Sequence, residues 1–146
     1  ILRQIRKRYG NYDLGFLCDC PAEEAAAVLK GFKGVGPKTV SCVLLFACGH
    51  PVFPVDTHIL RVTNRLGLIG EKTSLAQAHD LLAERVPPEL RYPLHLNLIR
   101  FGREVCLARG PRCEVCPLRR YCLYFASLRQ ARDPGASGGR GAPSPG

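Results

Sequence analysis

Leu29–Arg61 reads LKGFKGVGPKTVSCVLLFACGHPVFPVDTHILR, a glycine hairpin that opens straight into a helix, with two opposite charges, Lys38 and Asp56, eighteen residues apart. Gly34 and Gly36 bracket Val35, so the backbone can turn sharply and bring amide N–H groups close to a ligand. Pro37 has the fixed φ that suits a first helical position. Such a turn can hold a phosphate, although most Gly-x-Gly pairs are only turns. The run Thr39–Ala47 (TVSCVLLFA) is apolar almost throughout, which predicts a buried helix with Lys38 where core meets cleft. Desolvation there would lower the lysine pKa, and an amine that loses its proton near neutrality is a nucleophile. A solvated lysine that only steers a phosphate fits the same residues. Downstream, Ile59, Val62 and Leu66 share one face of Thr57–Leu66, a helix for which Asp56 is a good N-cap. Asp56 either caps alone or also faces the cation that develops beside Lys38.

On either side of this stretch the pattern stays helical. Pro21–Lys30 (PAEEAAAVLK) reads as the first helix of a hairpin pair, 21–47, with Asp19 or Cys20 at its N-cap and Glu23 and Glu24 in its first turn. Ile1–Tyr9 places Ile1, Leu2, Ile5 and Tyr9 on one stripe, with Arg3, Arg6, Lys7 and Arg8 off it and Gly10 at its end. Asn11–Asp19 reads as a loop. Ser74 and Gln77 form a capping box that starts a helix over Leu75–Val86, with Leu75, Ala78, Leu82 and Val86 as its buried stripe and Pro87-Pro88 as its stop. A last helix is expected over Tyr92–Val105, packed through Leu94, Leu98, Phe101 and Val105. His79 and His95 suggest no chemistry. No stretch alternates long enough for a strand, so the fold class is all-α.

A length of 146 residues allows one ordinary domain. The chain starts at Ile1, without Met, inside an amphipathic pattern, which reads as a truncated front; 126–146 is rich in Gly, Pro, Ser and Arg and reads as a disordered tail. No apolar run reaches about 18 residues and no secretory pattern opens the chain, so the expected setting is intracellular and away from membranes. The net charge of +9, from 21 Lys and Arg against 12 Asp and Glu, makes nucleic acid the natural partner to test.

The second motif is Cys106-x6-Cys113-x2-Cys116-x5-Cys122, in VCLARGPRCEVCPLRRYC. Disulfides would need an oxidising compartment. A four-cysteine zinc site usually shows two close pairs, and only Cys113 and Cys116 are close. Uneven spacing around one pair suits a [4Fe–4S] cube, so the cluster is favoured over zinc. Arg109, Arg112, Arg119 and Arg120 decorate the same loop. Cys18, Cys20, Cys42 and Cys48 show no ligand spacing, and Cys42 and Cys48 read as small buried hydrophobes.

GVGPKT followed by VDTHILRV resembles the helix-hairpin-helix DNA glycosylase superfamily, and within it the endonuclease III family of base-excision repair enzymes. The resemblance covers about Leu29 to Phe125. It implies part of a helical barrel over 1–66, an iron–sulfur domain over 67–125, and a [4Fe–4S] cluster on Cys106, Cys113, Cys116 and Cys122. It further implies Lys38 as Schiff-base nucleophile, Asp56 as catalytic carboxylate, and DNA contacts from Gly34, Val35, Gly36, Thr39, His58, Arg109 and Arg112. The expected activity is a glycosylase with abasic-site lyase action on damaged pyrimidines in double-stranded DNA, carried by a monomer in the cytoplasm or nucleoid of a bacterium, or in the nucleus or a mitochondrion of a eukaryote. A non-catalytic DNA-binding module stays open, as does a monofunctional glycosylase for mispaired or alkylated bases; Lys38 argues against the latter, because adenine glycosylases of the superfamily usually lack it. The barrel residues that complete the cleft lie upstream of Ile1 in the family, so this piece alone is expected to be marginal, aggregation-prone or inactive.

Overall fold

Glycines and prolines punctuate residues 1–132, the part described by this computed structural model, into α1 (Leu2–Tyr9), α2 (Ala22–Lys30), α3 (Pro37–Phe46), α4 (Thr57–Leu66), α5 (Leu75–Arg85), α6 (Pro88–Glu104) and α7 (Leu123–Arg132). Short 3₁₀ turns occupy Gly15–Cys18, Cys113–Val115 and Arg119–Tyr121, and no strand occurs among the described residues. The first of these turns lies inside the expected Asn11–Asp19 loop and buries Leu17.

Two apolar clusters hold the helices. Leu17, Ala25, Leu29, Val40 and Leu44 pack α2 against α3. Phe53, Val55, Ile59, Val62, Ile69, Ala78, Leu82, Val86 and Leu98 form the second cluster, with α4 at its centre and residues from both sides of position 66. Ser74 closes the expected capping box with Gln77. Leu75, placed in the buried stripe of α5, is instead exposed, because the first residue of the helix projects beyond the cluster.

Three boundaries differ from the sequence reading. α2 begins at Ala22 with Pro21 as N-cap and no side-chain cap, so neither Asp19 nor Cys20 has that role. α6 begins at Pro88, four residues before the expected start: Pro87 stops α5, but Pro88 has the backbone angle of a first helical residue. Pro93 then lies inside α6 and removes one intrahelical hydrogen bond. Finally, 126–132 of the expected disordered tail is helical, since the Ala126 N–H bonds the Cys122 carbonyl and Tyr124 stacks on Arg65, 4.5 Å from ring centroid to guanidinium carbon. The rest of that tail, 133–146, lies outside the described residues.

Gly67 ends α4 with φ 83°, and a Cβ there would come within 2.8 Å of Leu123 Cγ. Gly67→Ala should therefore cost roughly 1–3 kcal/mol in chemical denaturation, mostly from left-handed backbone strain.

His79 is half-buried on α5, and desolvation pushes its pKa down against the opposing pull of the Phe53 backbone and Asp80. The unfolded chain therefore takes a proton first on acidification. The stability held by the neutral ring is present above about pH 6.5 and declines as pH falls through that value toward the lower folded pKa. Melting temperature should drop over that window, and His79→Leu should make the drop shallower.

Candidate active site

The hairpin turn is built as its glycines require. Gly34 has φ 90°, and Gly36 is the extended N-cap of α3 with Pro37 at the first position. The Val35 N–H closes the turn on the Phe32 carbonyl at 3.1 Å, so of the three turn amides Val35 is already used. Among the described residues, no backbone carbonyl takes the N–H of Gly34 or Gly36. The Lys38 and Thr39 amides lie in the first turn of α3, where helix geometry provides no intrahelical acceptor. Gly34, Gly36, Lys38 and Thr39 thus present donors on the exposed side of the turn.

Asp56 is 8% exposed and caps α4, its Oδ1 accepting from the His58 and Ile59 N–H groups at 2.9 Å each. Lys38 is exposed, contrary to the expectation of a desolvated amine: α3 buries Val40 and Leu44 on one face and Leu45 beside them, while Lys38, Cys42 and Phe46 follow one another a turn apart along a more open face. Lys38 and Asp56 nevertheless act on the same two groups, Cys42 and His95. Burial pushes the Cys42 thiol pKa up, Lys38 lowers it and Asp56 raises it. The same two charges act on His95, whose pKa burial pushes down, while its bond to Pro54 and the Asp56 charge oppose that and Lys38 adds to it. His95, assigned no partner from sequence, places Nδ1 2.9 Å from the Pro54 carbonyl. His58 is half-buried with Nδ1 3.1 Å from Arg61 Nη2, so it is engaged inside the fold.

The cysteine loop is riveted to α4 by two arginines that the sequence reading left without a role. Arg61 donates to the carbonyls of Cys106 (3.0 Å) and Gly102 (2.7 Å). Arg65 donates to the carbonyls of Leu107 (2.7 Å) and Ala108 (3.1 Å) and lies 3.4 Å from Cys106 Sγ. Gly102 is among the last four carbonyls of α6, groups a helix end leaves unpaired, and the other three lie in the segment that follows. The signal in the sequence was two cations one turn apart beside the Val62 and Leu66 stripe.

Cys106, Cys113, Cys116 and Cys122 line one cavity, with Arg65, Arg112 and Arg119 on its wall. All four are free thiols. Burial pushes the Cys113 pKa up, and the other three cysteines push the same way against Arg65. Among the described residues no three His, Cys, Asp or Glu side chains converge tightly enough to ligate one ion as they stand. The donor set still fits an iron–sulfur cube: four soft ligands around one space, walled by cations that offset thiolate charge. Arg112 is thus part of that wall, while Arg109 is exposed on the loop. Cys48 is not the isolated buried thiol expected, because it is disulfide-bonded to Cys18 with Cα atoms 4.6 Å apart. Leu17 and Leu44 belong to one apolar cluster, against which Cys48 also packs, so the two segments lie together. No described helix is long and apolar enough to cross a membrane.

No family model matches the chain. It is 41% identical over 101 residues to endonuclease III of Haemophilus influenzae, covering 69% of this chain and 47% of that protein. It superposes on a trapped endonuclease III–DNA covalent intermediate with a TM-score of 0.73 at 30% identity, covering 88% of this chain and 56% of that one. The chain belongs to the helix-hairpin-helix DNA glycosylase superfamily. Within that superfamily it is also 32% identical over 143 residues to the DNA glycosylase/AP lyase ROS1 of Arabidopsis thaliana, covering 86% of this chain and 10% of that protein. The chain thus spans about half the length of its endonuclease III relatives and about a tenth of the plant glycosylases.

Proposed function

We propose that this chain carries the catalytic and cluster-binding part of a DNA glycosylase with abasic-site lyase activity, acting on damaged pyrimidines in duplex DNA. One observation carries the reading: Asp56 is fixed at the N-cap of α4 and Lys38 stands on the open face of α3, with both charges acting on Cys42 and His95. Amides of Gly34, Gly36, Lys38 and Thr39, aided by Arg109, grip backbone phosphates and pin the register of the duplex. The damaged nucleotide flips out, at a cost that is smallest for poorly stacked lesions. The Lys38 amine lone pair forms a bond to the sugar carbon bearing the base as the glycosidic bond breaks, and the base leaves with that electron pair and a proton. Asp56 offsets the positive charge on the sugar. The sugar ring opens to an imine, loss of a proton from the neighbouring carbon expels the 3′ phosphate, and water then frees the lysine.

Cys106, Cys113, Cys116 and Cys122 would hold a [4Fe–4S] cluster, which when bound supplies a cross-link that fixes the arginine-bearing loop. No redox change is required of it.

The test is incubation of the full-length protein with duplexes carrying an abasic site or thymine glycol, with and without borohydride. Cleavage on the 3′ side with a covalent adduct is expected. Base release from an uncut strand without an adduct would replace this reading with a monofunctional glycosylase. Salt-sensitive binding with neither would leave a DNA-binding module.

A further inference from the structure

We propose that His95 is a positioning residue for Asp56: its Nδ1–H donates to the Pro54 carbonyl and holds the short turn from which the carboxylate works. The proposal rests on the catalytic role given to Asp56. Phe53, Pro54 and Val55 are all buried, so the Pro54 carbonyl has little access to water and needs an internal donor. His95, 3% exposed on α6, provides it at 2.9 Å. A carbonyl can only accept, so Nδ1 carries the proton and the tautomer is fixed.

The ring itself is held. Phe46 lies edge-on at 5.2 Å and Phe53 at 6.3 Å between centroids, so the imidazole has little freedom to swing away from Pro54. Burial keeps it neutral, a state in which one nitrogen donates. α6 reaches this far into α4 because residue 102 is glycine: a Cβ there would come 3.0 Å from His58 Cβ. Two residues after Pro54, the Asp56 Oδ1 is fixed from the other side by the His58 and Ile59 amides. The carboxylate is therefore restrained through its cap and through its incoming backbone. An error of about 1 Å in such a group can cost on the order of 10²-fold in rate.

The experiment compares single-turnover cleavage of an abasic duplex by full-length wild type, His95→Leu, His95→Asn, Asp56→Asn and the Asp56→Asn/His95→Leu double variant. Asparagine can place an amide N–H near the Nδ1 position. Expected for His95→Leu is a fall of about 10- to 100-fold in the rate at saturating enzyme, with DNA affinity within about 2-fold. His95→Asn should recover most of it even if its melting temperature is lowered. In the Asp56→Asn background, His95→Leu should change the residual rate by less than about 2-fold, because its effect runs through the carboxylate. Equal losses from His95→Leu in both backgrounds, or no recovery by a folded His95→Asn, overturn the role of His95 alone. An Asp56→Asn protein as fast as wild type overturns the reading of Asp56 and takes this proposal with it.

Discussion

Lys38→Ala should abolish borohydride trapping on abasic DNA and lower strand cleavage at saturating enzyme by roughly 10³-fold or more. The substitution is clean, because Lys38 is exposed in the first turn of α3 and its side chain takes no part in either apolar cluster. Alanine is a better helix former there, and a positive charge near a helix N-terminus is unfavourable, so melting temperature should hold or rise slightly. A loss of rate with an intact fold would then be chemical. A lysine that only touches phosphate makes a different signature: weaker DNA binding, a salt slope reduced by about one, and near-normal cleavage once the enzyme is saturating. In the proposed mechanism the exposed Lys38 amine is desolvated by the flipped nucleotide rather than by the fold.

Sequence made the helices legible where a local rule acts alone. Gly34 and Gly36 forced the turn, Asp56 announced a cap, and the Ser74–Gln77 box started α5, each through contacts within four residues. What escaped depends on partners far along the chain. Arg61 and Arg65 reach carbonyls more than forty residues away, so their role is invisible until α4 and α6 pack. His95 looked inert because its acceptor, Pro54, lies 41 residues earlier. α7 continues past Phe125 because Tyr124 stacks on Arg65, a tertiary contact that composition cannot register. The exposure of Lys38 has the same origin: an apolar helix looks buried on every side, yet Phe46 remains 43% exposed on the face that Lys38 shares.

Cys113→Ser should remove any iron-dependent visible absorption and destabilise the protein by more than any single core truncation, on the order of 5 kcal/mol or more. The reason lies in what else holds residues 105–122. Apart from the two 3₁₀ turns, this loop has little regular structure, and Val115 and Tyr121 point outward. Its attachment to the fold runs through Arg61, Arg65 and whatever binds the four cysteines. α7 follows directly and packs against α4 through Tyr124, so release of the loop should free α7 as well. Hydrogen exchange should therefore quicken in 105–132 first, while α2 and α3, held by their own cluster, keep their protection. Iron and acid-labile sulfide in stoichiometric amounts would support the cube. Zinc without sulfide would keep the cross-link but replace the cluster, and a Cys113→Ser protein with wild-type melting would remove both, leaving Arg61 and Arg65 to hold the loop unaided.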